Sequence, residues 1–489
     1  MNQVSTRLSQ ILHDAVIGLR AEFILLLFFI LLLLLDLFLK PSKKNELLVF
    51  VSFIGVFISL FFNLLDFVNP LNLRLLNDFL ISSSPISMVK MAMGIATLLT
   101  LVIHSQNKNQ KGETYLLLMA AYLGLSFAVM SANWLALILS LEIASLSFYV
   151  LVGIENNLKS TEASLKYVIF GLLSSAIMIY GISLLYGTTG TIYFTAPDFG
   201  KKMVMANSIL PFLGLIFTSF GLLFKLGVFP LHIWLPDTYN GASWSVISIL
   251  STLPKLAAGA ILLFFWNKFS LFPFQLFQHE VFWNHFLVLV SIASLVIGSF
   301  SAISQENIKR FIAYSSISNM GFVLIGIISN SNPGAKATLY YLFAYSLITM
   351  GLVFVFYLVN INTFSDLKGL ASKSKLYALL ITVLIMALAG IPPSVGFTSK
   401  LLIFTSLLEA YSHIKINSAS LANAYLALLI FASISTIIGF YYYLRLPYLM
   451  YLKNAENKDF VIPKSISMSL IAIIISILVI GLFFINIIN

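Results

Sequence analysis

The sequence predicts an all-α integral membrane protein with about 14 transmembrane helices. Of its 489 residues, 60% are hydrophobic and only 9% are charged, whereas a soluble domain carries about 25% charged residues. Apolar runs long enough to cross the hydrocarbon core, roughly 20 residues each, recur along the whole chain. Alternating strand-like patterning is absent, which argues against a membrane barrel. Helices without a polar face need lipid as their solvent.

Charged and turn residues bound the apolar runs, and each run predicts one helix. In chain order the predicted spans are 21–39, 47–66, 87–104, 114–130, 132–153, 162–187, 209–235, 243–266, 281–303, 308–329, 336–360, 376–411, 421–446 and 464–487. The residues before the first span predict a short polar N-terminus and not a targeting segment, because Asp14 is acidic and no cleavage-like site follows.

The spans also predict an internal repeat of five helices, starting near Thr114 and again near Val281. Five is odd, so two consecutive repeats face opposite ways across the membrane, as in many transporters. The predicted domains are a three-helix segment 1–113, a first repeat 114–266, a second inverted repeat 281–449 and a C-terminal transmembrane helix 450–489. Each repeat has a helix interrupted by glycine and proline, at Gly227 to Pro230 and at Gly390 to Pro393, and paired broken helices point to a midplane transport site.

An even number of spans places both termini on one side of the membrane. The opposite side carries more basic loop residues, so the positive-inside rule assigns that opposite side to the matrix or cytoplasm. Arg20 and Lys90 are counted here with the loops and tails on the side of the termini. The formal charge of +10 is read as a topology signal and not as nucleic-acid binding.

Several kinds of redox or metal site are excluded or disfavoured. The chain has no cysteine, which excludes disulfides, iron–sulfur clusters and thiolate zinc sites. Its six histidines form no close pair at ligand spacing, and no glycine-rich nucleotide loop follows a strand. We therefore expect no cofactor and no metal on this chain.

Four ionisable residues fall deep inside predicted spans: Glu142, Lys225, Lys255 and Lys400. A central Lys or Asp opposes membrane insertion by roughly 2.5–3.5 kcal/mol. Pairing between helices explains one Glu and one Lys but leaves two lysines. Burial disfavours the ammonium form of lysine, so a buried lysine near a carboxylate can take up and release a proton, whereas arginine stays charged. We favour proton relay over structural pairing.

Other charges carry weaker signals. Lys166 lies early in its span and by itself reads as a structural, snorkelling lysine. His232 is either an interfacial histidine or a relay member. Asp66 and Glu409 lie near span ends, where we expect solvation. Lys309 and Arg310 are interpreted as topology signals.

At these residues the sequence resembles the antiporter-like membrane subunits of respiratory complex I, the proton-pumping NADH:ubiquinone oxidoreductase. Within that family it is most similar to chain 2, the counterpart of the bacterial N subunit. The most specific stretch is FKLGVFPLHIWLPDTYNGA at 224–242. Three further stretches agree: TEASLKYVIFGLLSSAIMIYGISLLYGTTGT at 161–191, NIKRFIAYSSISNMGF at 307–322 and GIPPSVGFTSKLLIF at 390–404.

The resemblance implies a role for each matched residue. Lys225 would be the pumping lysine of the broken seventh span, and Glu142 the fifth-span glutamate that modulates it. Lys166 would join the same polar axis, Lys255 would be the central relay, and Lys400 the exit-side lysine of the twelfth span. The sequence departs from the family pattern at Ser243, where the family has proline, and at Pro254, which adjoins Lys255.

The resemblance also implies the setting. The chain would be a subunit of an H⁺-translocating NADH:ubiquinone reductase, without a redox active site of its own. NADH, FMN, iron–sulfur clusters and ubiquinone would belong to partner subunits. Expected partners are the antiporter-like chain 4, the small chains 4L, 6 and 3, and lipids such as cardiolipin. The expected location is the mitochondrial inner membrane, with both termini on the intermembrane-space side, or the plasma membrane of a bacterium.

Two alternatives share the fold. One is an Mrp-type cation/proton antiporter subunit, and the other is a non-pumping scaffold of the same complex.

Overall fold

The computed structural model describes residues 2–39, 41–106, 111–206, 209–270 and 278–454. Within those residues, 11 helices are long and apolar enough to cross a membrane by length and composition. Two further apolar helices, Leu210–Leu226 and Lys375–Ala389, are shorter. The predicted all-α membrane fold is confirmed.

Two compact units make up the chain. The first contains the residues up to Gly221 together with Thr252–Ile261, and the second contains Leu222–Ser251 together with the residues from Leu262 onward. The predicted division into an N-terminal segment and two repeats stays a prediction.

The elements up to the first interruption are α1 Asn2–Gly18, α2 Arg20–Phe38, α3 Pro41–Val68, β1 Leu73–Leu75, β2 Leu80–Ser82, α4 Ser84–Ser105, α5 Gly112–Met130, α6 Trp134–Gly153, α7 Leu158–Thr189, α8 Phe199–Met205 and α9 Leu210–Leu226. Helices α2, α3, α4 and α5 pack against one another, and α6 packs on α5 and α7. Strands β1 and β2 form an antiparallel hairpin with Leu73 opposite Ser82, which the sequence pattern did not predict.

The remaining elements are α10 Trp234–Gly241, α11 Trp244–Leu250, α12 Leu253–Ser270, α13 Gln278–Ile303, α14 Ile308–Ile328, α15 Asn332–Val359, a short 3₁₀ helix Phe364–Leu367, α16 Leu370–Lys373, α17 Lys375–Ala389, α18 Val395–Asn417 and α19 Ala419–Leu452. In the second unit, α14 and α15 are almost completely enclosed by neighbouring elements. They form the centre against which α13, α17, α18 and α19 pack.

Short polar residues start many of these helices because an oxygen side chain can accept the otherwise unpaired N–H groups of the first turn. The side chain of Asn133 accepts from Ala136 N, and that of Ser331 accepts from Gly334 N. Asn157 and Ser160 form a reciprocal capping box at the start of α7. These caps fix where the helices begin.

Each predicted span up to 421–446 coincides with one of these helices or with a pair on either side of an interruption. The last predicted span, 464–487, lies outside the described residues, so the total of 14 stays a prediction. The residues expected to form a polar N-terminus are helical from Asn2 to Gly18.

Candidate functional site

The first interrupted helix ends one residue after Lys225. Gly227 has a positive φ of 73°, a conformation that glycine adopts without the strain of a Cβ. It therefore terminates α9 at Leu226. Lys225 lies in the last turn and is only 8% exposed. A cation at this position is favoured by the partial negative charge of a helix C-terminus.

Two hydrogen bonds hold the chain after this interruption. Trp234 Nε1 donates to the carbonyl of Phe224 at 3.2 Å, which ties α10 back to the last turn of α9. The backbone N–H of Phe229 donates to Ser294 Oγ on α13 at 2.9 Å. His232 lies in this connection, is half-buried, and has its ring 6.0 Å from that of Phe229. The connection therefore has a fixed path beside Lys225.

The second interruption places Lys400 against an open helix end. Helix α17 stops at Ala389, and Gly390 adopts a left-handed conformation with φ of 84°. Helix α18 starts after Ser394, whose side chain accepts from Phe397 N. Lys400 Nζ donates to the carbonyls of Leu388 at 3.2 Å and Ala389 at 2.9 Å. The lysine of α18 thus neutralises the negative end of α17.

A polar network borders the small cavity that Lys400 lines inside the second unit. Lys400 is 7% exposed, has its Nζ 5.2 Å from the centre of the Phe322 ring, and lines a small cavity together with Asn319, Tyr341 and Tyr345. Tyr341 OH donates to Asn319 Oδ1 at 2.8 Å, and Asn319 Nδ2 donates to Tyr443 OH at 3.1 Å. Sequence analysis assigned no role to these residues, although Asn319 lies in the quoted stretch 307–322, since a single Asn or Tyr gives no local signal of the distant partners that it contacts.

Lys309 and Arg310 bind the segment that follows the first interruption. Arg310 Nη1 pairs with Asp237 Oδ1 at 3.2 Å, and Lys309 Nζ donates to the Ala242 carbonyl at 2.7 Å. Both cations lie in the first turn of α14. Their interpretation as topology signals is therefore incomplete, because they also fix α10 and the residues after it.

Glu142 lies in the middle of α6 and is half-buried. Its Oε1 accepts a hydrogen bond of 2.6 Å from Ser175 Oγ on α7. The predicted depth of Glu142 within its helix is confirmed.

Lys166 has a different environment from the other predicted lysines. It pairs with Glu162 one turn earlier on α7 at 2.8 Å, with side-chain exposures of 40% and 67%. This local pair agrees with the structural reading that its position suggests.

Lys255 is the third deep lysine and lies in the first turn of α12, next to Pro254. It is 1% exposed. Proline fits the first turn of a helix, where its missing N–H would have no intrahelical partner. The Pro254 departure therefore leaves Lys255 inside a regular helix.

A second set of buried charges lies in the first unit, and sequence reasoning misplaced it. Lys90, counted with the loop residues, is inside α4 and 1% exposed, and its Nζ pairs with Glu22 Oε1 at 2.6 Å. Asp66, expected to be solvated, is 1% exposed and pairs with Arg20. Those two expectations are wrong, because neighbouring helices cover the span ends where these residues lie.

Within the part of the chain that the structure describes, no group of three or more His, Asp or Glu side chains is arranged to hold a metal ion.

The discontinuous helices with lysines at their breaks, inside an all-helical membrane fold, define the class of multi-pass transport proteins with charged groups at membrane depth. The family model described as NADH:quinone oxidoreductase/Mrp antiporter, TM matches residues 131–427. The chain belongs to this family.

Relatives and solved structures agree with that assignment. The NADH-quinone oxidoreductase subunit N 2 of Chloroherpeton thalassium is 33% identical over 448 residues, which cover 88% of this chain and 84% of the relative. A chain of respiratory complex I from Thermus thermophilus, solved with bound aureothin, is 26% identical with a TM-score of 0.78, covering 94% of this chain and 97% of that one. A chain of the Mrp complex from Dietzia sp. has a TM-score of 0.79 at 17% identity, covering 97% of this chain and 95% of that one, and this likeness supports the fold alone.

Proposed function

We propose that this chain is the N-type, antiporter-like core subunit of a proton-pumping NADH:ubiquinone oxidoreductase and forms one proton-translocation channel. The observation that carries the proposal is the placement of buried lysines at both helix interruptions. Lys225 lies in the last turn of α9, and the Lys400 ammonium caps the open carbonyl end of α17. The relative from C. thalassium and the T. thermophilus structure support the complex.

In this mechanism the lysines exchange protons because membrane burial and nearby groups act in opposite directions. Burial disfavours the ammonium form, while helix C-termini and carboxylates favour it. A change in the surroundings of Lys225, with Glu142 as the modulating carboxylate, would release a proton toward Lys255 and then Lys400. Moving one charge across 100 mV requires about 2.3 kcal/mol, which is comparable with breaking one ion pair in a poorly solvated site.

Lys166 and His232 are included in the proposed relay on the strength of the resemblance. The exposed Glu162–Lys166 pair suits a residue at the entrance of the path better than one at its centre. His232 lies in the connection after Lys225. Its neutral imidazole can accept a proton at one ring nitrogen and release a proton from the other.

The proposal extends to the partners and the setting. The redox chemistry with NADH, FMN, iron–sulfur clusters and ubiquinone would occur in other subunits. Chains 4, 4L, 6 and 3 and lipids such as cardiolipin would surround this chain in the mitochondrial inner membrane or a bacterial plasma membrane. Both termini would face the proton-release side.

Replacing Lys225 by Ala tests the pump against the scaffold. We expect Lys225→Ala to assemble and to move fewer protons per NADH oxidised, measured with the complex reconstituted in vesicles. Lys201→Ala, on the exposed surface of α8, is the matched control and should pump normally. Normal stoichiometry in assembled Lys225→Ala complex would refute the channel.

Copurification distinguishes the Mrp-type alternative from the complex I subunit. A complex I subunit copurifies with flavin and iron–sulfur subunits, whereas isolation of this chain with cation-antiporter subunits alone would favour the alternative.

A further inference from the structure

The four-helix packing of α2, α3, α4 and α5 encloses a set of charges outside the relay proposed above. We call Arg20, Glu22, Asp66 and Lys90 the N-terminal charge cluster. Glu22 and Lys90 are each 1% exposed, and so is Asp66. Lys90 Nζ lies 2.6 Å from Glu22 Oε1, and Arg20 pairs with Asp66. Two cations and two anions leave the cluster with no net charge.

The two ion pairs lie within electrostatic range of each other. Asp66 interacts electrostatically with Lys90 and Glu22 as well as with Arg20. The cluster sits at one end of the four helices, because Arg20 and Glu22 open α2, Asp66 closes α3 and Lys90 lies in the second turn of α4. That end is on the same side of the membrane as the N-terminal end of α2.

Hydroxyl and amide side chains extend the hydrogen-bond network beyond the N-terminal charge cluster. Ser126 Oγ donates to Glu22 Oε1 at 2.6 Å. Tyr122 OH donates to the Lys90 carbonyl at 3.2 Å, and Asn63 Nδ2 donates to Tyr122 OH at 3.4 Å. The facing titratable groups are therefore Arg20 and Glu22 from α2, Asp66 from α3, Lys90 from α4 and Tyr122 from α5.

Part of this cluster lacks hydrogen-bond partners among the described residues. Glu22 Oε2, Asp66 Oδ2, Asn63 Oδ1 and Arg20 Nε are all buried and have none. Leaving a buried polar atom unpaired is energetically costly, and more so when the atom is charged. Buried water commonly satisfies such atoms by bonding to two to four polar groups at once. Three such atoms in the N-terminal charge cluster, and a fourth on the adjoining Asn63, are therefore groups that buried water can satisfy.

We propose that the Glu22–Lys90 pair is a second, hydrated proton-exchange site in the N-terminal helices, with water and the hydrated proton as its ligands. The Lys90 ammonium donates a proton along its hydrogen bond to Glu22, which gives a neutral amine and a carboxylic acid. Glu22 passes the proton from its carboxyl group to a neighbouring water, which becomes a hydrated proton, and returns to the carboxylate. The Lys90 amine then takes a proton from a second hydrated proton, which leaves a neutral water and restores the ammonium.

The proposal rests on the proposed pumping function, so its test uses the intact complex in vesicles. Glu22→Gln/Lys90→Gln keeps similar volumes and pairs two amides, and exchanging a buried ion pair for neutral groups is often tolerated. We expect the double variant to assemble and to reduce quinone at a normal rate while moving fewer protons per NADH. The swapped pair Glu22→Lys/Lys90→Glu should restore part of that loss. Normal proton stoichiometry in the double variant would overturn the proposal.

A second measurement covers failure of the double variant to assemble. Glu22→Asp keeps the carboxyl group and moves it by one methylene, and Glu46→Asp, at an exposed position on α3, is the matched control. Redox-induced infrared difference spectra should contain a carboxyl band that shifts in Glu22→Asp and not in Glu46→Asp. Spectra without such a band would overturn the proposal. Loss of pumping in Lys225→Ala alongside normal pumping in the double variant would leave the main channel intact and remove only this second site.

Discussion

Two lysine–glutamate pairs in the first unit use the same chemistry in opposite surroundings. Lys90 Nζ and Glu22 Oε1 lie 2.6 Å apart, with side-chain exposures of 1% and 0%. Lys166 Nζ and Glu162 Oε1 lie 2.8 Å apart, with side-chain exposures of 40% and 67%. The first pair joins α4 to α2, whereas the second joins neighbouring turns of α7. The N···O distances of the two pairs are nearly equal, so the pairs differ in their burial and in the elements that they join.

The difference determines what each pair can do. An exposed pair separated by four residues contributes little to stability, because both side chains are solvated in the folded state as well as in the unfolded state. A buried pair between helices is costly to form but still more costly to break, since loss of one partner leaves an uncompensated charge. The buried pair therefore holds two helices in register and can also control where a proton resides.

The largest effect is expected for Lys90→Ala, which leaves the Glu22 carboxylate without its cation. The loss should be about 3–5 kcal/mol, visible as a lower melting temperature and a lower yield of assembled complex. The double variant Glu22→Gln/Lys90→Gln should recover most of the stability that either single substitution loses. A Lys90→Ala complex with normal thermal stability would show that burial does not distinguish the two pairs.

Asp66→Asn should have an intermediate effect. Arg20 loses its carboxylate, yet its side chain is 29% exposed and its guanidinium lies 5.1 Å from the centre of the Phe62 ring, so other contacts compensate in part. We expect the free energy of unfolding to fall by about 1–3 kcal/mol. Thermal unfolding of Asp66→Asn and Lys90→Ala, measured in parallel, checks this. A loss equal to that of Lys90→Ala would mean that the cluster responds as one indivisible unit.

Glu162→Gln is expected to have the smallest effect. The exposed pair contributes about 0.2–1 kcal/mol, so melting temperature and assembly should stay close to those of the unchanged protein. Proton pumping measured in the same preparation sharpens the comparison. A strong loss of pumping without a loss of stability would assign Lys166 a functional role that its exposure does not suggest.

Sequence reasoning succeeded where the signal was local. Gly227 and Gly390 interrupt their helices because positive φ suits glycine and because proline follows nearby. Lys225 and Lys400 were identified by the cost of charge in an apolar run. The roles assigned to these lysines, to Lys255 and to Glu142 stay predictions that the variants above can test.

Sequence reasoning failed where two segments far apart in the chain come into contact. Glu22, Asp66 and Lys90 all lie near predicted span ends, a position that suggests solvation when each helix is considered alone. Only the packing of α2, α3, α4 and α5 removes them from solvent and pairs them. The Lys400–Asn319–Tyr443 surroundings were missed for the same reason.

The sequence by itself determined the membrane fold, the two helix interruptions and the deep lysines, because hydropathy, glycine conformation and proline geometry act within one or two helical turns. The tertiary structure alone decided which charges are buried and which partners they have. Burial and pairing depend on helices far apart in sequence, and an ionisable group changes its behaviour with every neighbour that excludes water or supplies an opposite charge.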